Sequence, residues 1–276
     1  MSLPVAFRAD LHSHSTCSDG SLTFQELILL AKQADLSALS ITDHDSITAY
    51  PEALDFAKQN NLLMIPGVEF SAMHLGKSVH ILGYSFDLQS ASIAHLCEKH
   101  IKRRKERNLQ VLEKLAKHGM PIEEQDLAQH PTIGRPHIAQ EMIKKGYVKS
   151  IEEAFKKYLG DHKPCFAPGN PISVEETIEA IHQGKGLAVI AHPHLIKDSN
   201  LLYDILQFPF DGIECYYARF PEQEHNRWLK LARKRNLLVT GGSDFHGDAK
   251  PTIRIGSSWV DKGLFDILYQ HYLQHS

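Results

Sequence analysis

Cysteine is scarce and scattered. The four cysteines, Cys17, Cys97, Cys165 and Cys215, form no C-x-x-C pair. That spacing argues against a thiolate zinc site and offers no disulfide framework. It predicts reduced thiols in a cytoplasmic chain. Long apolar runs are missing as well, and none reaches the roughly 18 residues of a membrane span. The opening MSLPVAFRAD has neither a charged leader nor an apolar stretch behind it, so no secretory signal is expected. Charge of one sign is not in excess. A net charge of −3 over 276 residues leaves no global basic field for nucleic acid. No repeat or low-complexity tract interrupts an ordinary globular composition.

Histidine is what the chain has in abundance. There are 18, and imidazole is the commonest metal ligand, so their placement decides what they mean.

The front of the chain alternates short apolar runs with helical patterns. VAFRADLH reads as a strand, and TFQELILLAKQA follows with Phe24, Leu27, Ile28 and Ala31 on one helical face. Thr23 and Glu26 have capping-box spacing. LSALSITDH, LLMIPGVEFS and KSVHILGYSF read as further strands. From about Ser90 to Ala167 the pattern turns helical and polar, then LAVIAHPH, FDGIECYY and LLVTGGSDFHG resume the alternation. About seven strands with intervening helices predict an α/β barrel-like body, residues 1–90 and 168–276, with a helical insertion over 91–167.

The chemistry-bearing residues fall at strand ends. His12 and His14 close the first strand, Asp43-His44-Asp45 the second and Glu69 the third. His80 lies within the fourth, His192 ends a later one, and Asp244 and His246 follow the last. Parallel α/β folds bind ligands at the carboxyl ends of their strands. Each residue alone has a plainer explanation: a polar turn for His-Ser-His, a helix cap for Asp43 or Asp45, a core histidine for His80. Together they would need that many independent coincidences. The other histidines, His100 among them, lie in polar or helical stretches and are expected mostly at the surface.

DLHSHSTCSDG, ITDHDS, PGVEFS, VHILGY, AHPH and GGSDFHG, in that order, resemble the successive motifs of the PHP (polymerase and histidinol phosphatase) superfamily of metal-dependent phosphoesterases. TIGRPHIA resembles the branch holding bacterial 3′,5′-nucleoside bisphosphate phosphatases and a related 5′-to-3′ exoribonuclease. The resemblance implies a distorted (β/α)7 barrel holding three divalent metals. By motif, one metal takes His12, His14, Glu69 and Asp244; a second shares Glu69 and adds His80 and His192; a third takes Asp19, His44 and His246. Asp43 and Asp45 are left as supporting groups or caps.

Imidazole and carboxylate ligands without thiolate suit manganese, with zinc or iron as alternatives, and argue against a calcium site. Three divalent ions carry six positive charges; Asp19, Glu69 and Asp244 return three and a bridging hydroxide one. The remaining two match a phosphate monoester dianion, and that hydroxide is the expected nucleophile. Arg135 and His137 in GRPH are the candidates for phosphate contact. His194 is read two ways, as proton donor to the leaving alkoxide or as a polar loop residue. Arg219 is a further candidate for the same cleft. The run KHIKRRKERN reads first as a solvated helix face, though Arg103 and Arg107, four apart, share a side that can meet a second phosphate or an RNA backbone.

The expected substrate is a small nucleotide carrying two phosphates, with short RNA as an extension and no obligate protein partner. A histidinol-phosphate type of phosphatase and a non-catalytic metal-bound module are the rival readings.

Overall fold

The structure, a computed structural model, describes residues 6–128, 133–218 and 220–275. Two sheets carry the body. The first is parallel and made of very short strands, β1 (Ala9–Asp10), β2 (Ala38–Leu39) and β3 (Leu63–Met64), with α1 (Phe24–Gln33) and α2 (Tyr50–Gln59) as crossovers. The second has five strands in sequence order: β4 (Gly67–His74), β5 (Lys77–Tyr84), β6 (Leu187–Ile190), β7 (Gly212–Tyr217) and β8 (Leu238–Gly242).

This is a mixed α/β fold, and the described strands do not close into one barrel. They form two sheets, and the second is not all parallel because of Leu75-Gly76. Both residues have positive φ, +49° and +74°, and they turn β4 straight back onto β5. A two-residue turn of that kind makes an antiparallel hairpin. β5 also runs antiparallel to β6, so it alone is reversed in this sheet, and the parallel pairings are β6 with β7 and β7 with β8. The two sheets meet through single bridges, Ser13 to Phe245 and His44 to Glu69. Both bridges lie at the candidate site.

The helical stretch begins with α3 (Ala91–Lys117), followed by α4 (Arg135–Lys144) and α5 (Ile151–Ala154), which continues as a π-turn over Phe155–Leu159. Val111, Leu115, Ile138, Met142 and Leu159 build an apolar cluster drawn wholly from residues 111–167. The first turns of α3 belong elsewhere. Ile93 and Leu96 pack with Ile178 and Ile181 of α6 (Val174–Gln183) against the five-stranded sheet. Past β6 come α7 (Ser199–Ile205), α8 (Glu222–Arg235) and α9 (Lys262–His275). α7 has no counterpart in the sequence reading. No helix among the described residues is long and apolar enough to cross a membrane.

Local expectations hold in part. Thr23 and Glu26 form the capping box of α1. Neither Asp43 nor Asp45 caps α2, whose N-cap is Ala49 without a side-chain bond. The basic run is solvated on one side only, at Lys102, Lys105 and Glu106. Arg103, Arg104 and Arg107 are at most 7% exposed and His100 is fully buried. One face of the middle of α3 is thus polar and buried, between two apolar ends.

Candidate metal centre

Alternation along an extended chain puts residues two apart on one side. His12 and His14 obey this just past β1, where Asp244 donates its backbone N–H to the His12 carbonyl and His14 donates its own to the Phe245 carbonyl. The chain then coils through Ser15–Gly20. Asp43 holds that coil, accepting from the Ser15 N–H (2.8 Å), the Ser15 hydroxyl (2.6 Å) and the Ser18 hydroxyl (2.5 Å). Gly20 is required there, because a Cβ would lie 2.1 Å from the His14 carbonyl oxygen. The result swings Asp19 back towards the histidines.

Glu69 is the hub. Its Oε2 lies 3.2 Å from His12 Nε2, 3.1 Å from His14 Nε2 and 3.3 Å from His44 Nδ1. Its Oε1 lies 2.7 Å from His80 Nδ1 and 2.8 Å from His192 Nε2. Asp244 Oδ1 stands 3.4 Å from His12 Nε2 and 3.3 Å from His14 Nε2. Asp19 Oδ1 stands 3.4 Å from His246 Nε2. Three groups bring their ligand atoms within 4.8 Å of one another: His12, His14, Glu69 and Asp244; His14, Asp19, His44 and His246; and His44, Glu69 and His80. The first is the expected set. In the second and third, His14 and His44 stand between neighbouring groups, while His192 joins through Glu69.

These residues fit divalent cations. All the donors are nitrogen or oxygen and nearly all are buried. His14 Nε2 and His44 Nδ1 are buried without a well-aligned hydrogen bond among the described residues, although both point at Glu69. Orphaned imidazole nitrogens converging on one carboxylate suit a cation between them. Protonation agrees. Burial opposes the charge on Asp19, Glu69 and Asp244, yet the surrounding imidazoles and Lys250 hold all three well below the usual carboxylate range. Burial presses His44 down to about 3 and lowers His246. For His12 and His14, burial is outweighed by the carboxylates, which raise both, His14 to about 9.

The candidates for substrate contact occupy different places. Arg135 opens α4 and lines a cleft of about 350 Å³ together with His80, His192, Phe155 and Asp161. Its guanidinium is 3.0 Å from Asp161 Oδ1 and lies over the Phe155 and Phe166 rings. His137 is buried, and its Nδ1 accepts from the Gly134 N–H at 2.9 Å. Arg103 donates to the Ser71 carbonyl (2.9 Å), and Arg107 to Asn108 Oδ1 (2.7 Å). Burial first, then the charges of Arg104, Arg135 and Arg103, press Arg107 well below the usual arginine value. His194 packs against Tyr217 and Phe220, with ring centres 4.5 and 4.1 Å away. Burial, aided by His192, pushes it down to about 3. Arg219 lies outside the described residues.

Four participants escaped the sequence reading. Glu214 accepts from His12 Nδ1 and from the His192 N–H. Tyr217 and Lys250 both donate to Asp244 Oδ2, at 2.8 and 2.6 Å. Arg104 pairs with Asp45. Only Glu214 left a signal, as a lone carboxylate in the apolar run GIECYY.

Comparison with known proteins agrees with this geometry. The chain is 32% identical over 266 residues to the 5′-3′ exoribonuclease Rnm of Escherichia coli K12, covering 92% of this chain and 90% of that one. It is 30% identical over 253 residues to the 3′,5′-nucleoside bisphosphate phosphatase of Chromobacterium violaceum, covering 86% of each. The crystal structure of a protein from Bifidobacterium adolescentis, described as a metal-dependent phosphoesterase, superposes with a TM-score of 0.86 at 27% identity over 98% of both chains. The PHP domain model matches residues 10–183, well over half of the chain, and the protein belongs to the PHP domain family.

Proposed function

We propose that the protein is a metal-dependent phosphoesterase that removes the 3′-phosphate of nucleoside 3′,5′-bisphosphates, giving the 5′-monophosphate and inorganic phosphate. Trimming of short oligoribonucleotides from the 5′ end is the same chemistry on a diester. The observation that carries this reading is one cleft shared by His80 and His192 on one side and Arg135 on the other. It sets a cation-seeking nest beside an anion-seeking guanidinium.

His12, His14, Asp19, His44, Glu69, His80, His192, Asp244 and His246 would hold the divalent ions, taken as three and best suited to manganese. Those ions would supply a hydroxide nucleophile at neutral pH and stabilise charge on the phosphoryl oxygens. Glu214 and Lys250, the nearest charges added by the structure, are opposite in sign. They leave the two-charge surplus for a phosphate dianion unchanged. The chain's own residues do the rest. Arg135 would grip the second phosphate, with Arg103, Arg107 and His137 supporting that side. His194, held against Tyr217 and Phe220, would contact the leaving oxygen. Residues 91–167 would act as a cap over a distorted barrel formed by 1–90 and 168–276.

The test is metal-loaded protein offered 3′-phosphoadenosine-5′-phosphate, 5′-phosphorylated short RNA and histidinol phosphate, with phosphate and nucleotide release read separately. Cleavage of the bisphosphate at its 3′ position supports the reading. Turnover of histidinol phosphate with the bisphosphate intact would overturn it, as would inactivity towards all of them by protein that has bound metal.

A further inference from the structure

We infer that Glu214 is a positioning residue that fixes two histidines of the nest at once, His12 through its ring and His192 through its backbone. The inference rests on the metal reading above.

β7 alternates. Ile213 and Cys215 face the core cluster, which leaves Glu214 on the opposite side of the strand. There it is 1% exposed. Each oxygen has its own donor: Oε1 takes His12 Nδ1 at 2.9 Å and Oε2 takes the His192 backbone N–H at 2.6 Å. A neutral imidazole carries one N–H. With that N–H at Nδ1 and given to Glu214, the lone pair of His12 sits on Nε2, the atom facing Glu69 and Asp244. A carboxylate behind a metal-binding imidazole orients the ring and strengthens it as a donor.

The second bond has a different task. His192 has φ 26° and ψ 62°, a backbone conformation that L-residues hold only when their surroundings enforce it. The short bond from its N–H to Glu214 is such a constraint, and it keeps His192 Nε2 at 2.8 Å from Glu69. Glutamine cannot replace Glu214 in both tasks. It offers one carbonyl oxygen, and its NH2 would face either an imidazole N–H or a peptide N–H. One carboxylate thus links the first ligand group to the cleft where His80 and His192 lie.

The experiment compares wild type with Glu214→Gln, using His12→Ala as a reference. Manganese affinity is measured by competition with a chelator. Melting is followed with and without manganese, and the His12 tautomer is read by 15N NMR on metal-free wild type, titrated to alkaline pH until the ring is neutral. Manganese affinity is expected to fall about 10- to 100-fold in Glu214→Gln, with a smaller metal-induced rise in Tm and kcat largely recovered at saturating metal. The wild-type spectrum is expected to show the His12 proton on Nδ1. Unchanged affinity, with Tm lowered equally in both conditions, would reduce Glu214 to a structural role and overturn the inference. So would a wild-type His12 proton on Nε2, a result that needs no variant to fold. Wild type that binds no divalent ion would instead sink the metal reading, while the tautomer still reports on the Glu214 bond.

Discussion

The nest around Glu69 and the arginine row of α3 are both buried and both charged, yet they lack opposite things. In the nest, Asp19, Glu69, Asp244 and Glu214 face six imidazoles and a single ammonium, Lys250. On α3 and at the start of α4, Arg103, Arg104, Arg107 and Arg135 face two carboxylates, Asp45 and Asp161. Among the described residues Arg103 and Arg107 bond only to neutral oxygens. Buried charge without a partner is strongly unfavourable, so each region has a deficit that a ligand of opposite sign would relieve. Under the proposed function the difference makes the site bipolar: cations would complete one half, and a doubly phosphorylated molecule the other.

The largest effect should come from breaking the cation half. Chelation, or Asp244→Asn, is expected to lower phosphate release on the order of 10³-fold or more, since divalent ions supply several kcal/mol of transition-state stabilisation. Metal content by mass spectrometry and steady-state rates check it together. An unchanged rate in Asp244→Asn would remove this residue from the reacting centre. Breaking the arginine half should act on stability first. Asp45→Ala leaves Arg104 buried without its partner and should destabilise the fold by about 3–5 kcal/mol in urea unfolding. The double variant with Arg104→Met should recover much of that loss. If Asp45→Ala were as stable as wild type, the pair would not be holding α3 against β4.

Arg107 sharpens the contrast, because among the described residues it forms no ion pair and feels Asp45 only at a distance. Arg107→Met removes a buried charge, so stability should hold or rise, while KM for the bisphosphate should rise about 10-fold, the range lost with a charge-assisted hydrogen bond. Stability and affinity moving in opposite directions is the signature of a residue kept for a ligand. A fall in stability with unchanged KM would make it structural.

The two halves also differed in how much the sequence disclosed. The nest was legible because its residues follow strand ends at period two and match motifs whose order is fixed. Asp19 was assigned through its motif, and the structure groups it with His14, His44 and His246. Glu214 could have been found, since a carboxylate inside an apolar strand must meet a partner. The arginine row was not legible. Polar residues recurring along a helix read as solvent-facing, and nothing local tells that Ser71, Asp45 and Ile133 approach from distant segments. His100 was misplaced for the same reason: it stacks on Phe70, 30 residues away in sequence, with ring centres 5.5 Å apart. The fold suffered likewise at Leu75-Gly76, where a leucine at positive φ disguised the hairpin that reverses β5.

Asp161 gives the smallest effect and the finest distinction between the halves. It accepts from the Ser78 N–H at 2.9 Å, the Ser78 hydroxyl at 3.1 Å and Arg135 at 3.0 Å. Burial alone would raise its pKa, but Ser78 and Arg135 outweigh burial and hold it below the ordinary value. The folded state therefore binds its proton less readily than the unfolded chain does. Its stabilisation is complete above about pH 5 and is lost as the pH falls through 4 and below. Asp161→Asn should be less stable than wild type by about 1 kcal/mol at pH 7, and the gap should narrow in urea titrations at pH 5, 4 and 3. A gap that stays constant would mean that the charge of Asp161 does not hold Arg135. If it does hold Arg135, a substrate phosphate entering the cleft competes with Asp161 for the same guanidinium. Asp161→Asn should then bind the bisphosphate more tightly even though it folds less stably. Under the proposed function Asp19, Glu69 and Asp244 cannot behave this way, because the cations would need each of them.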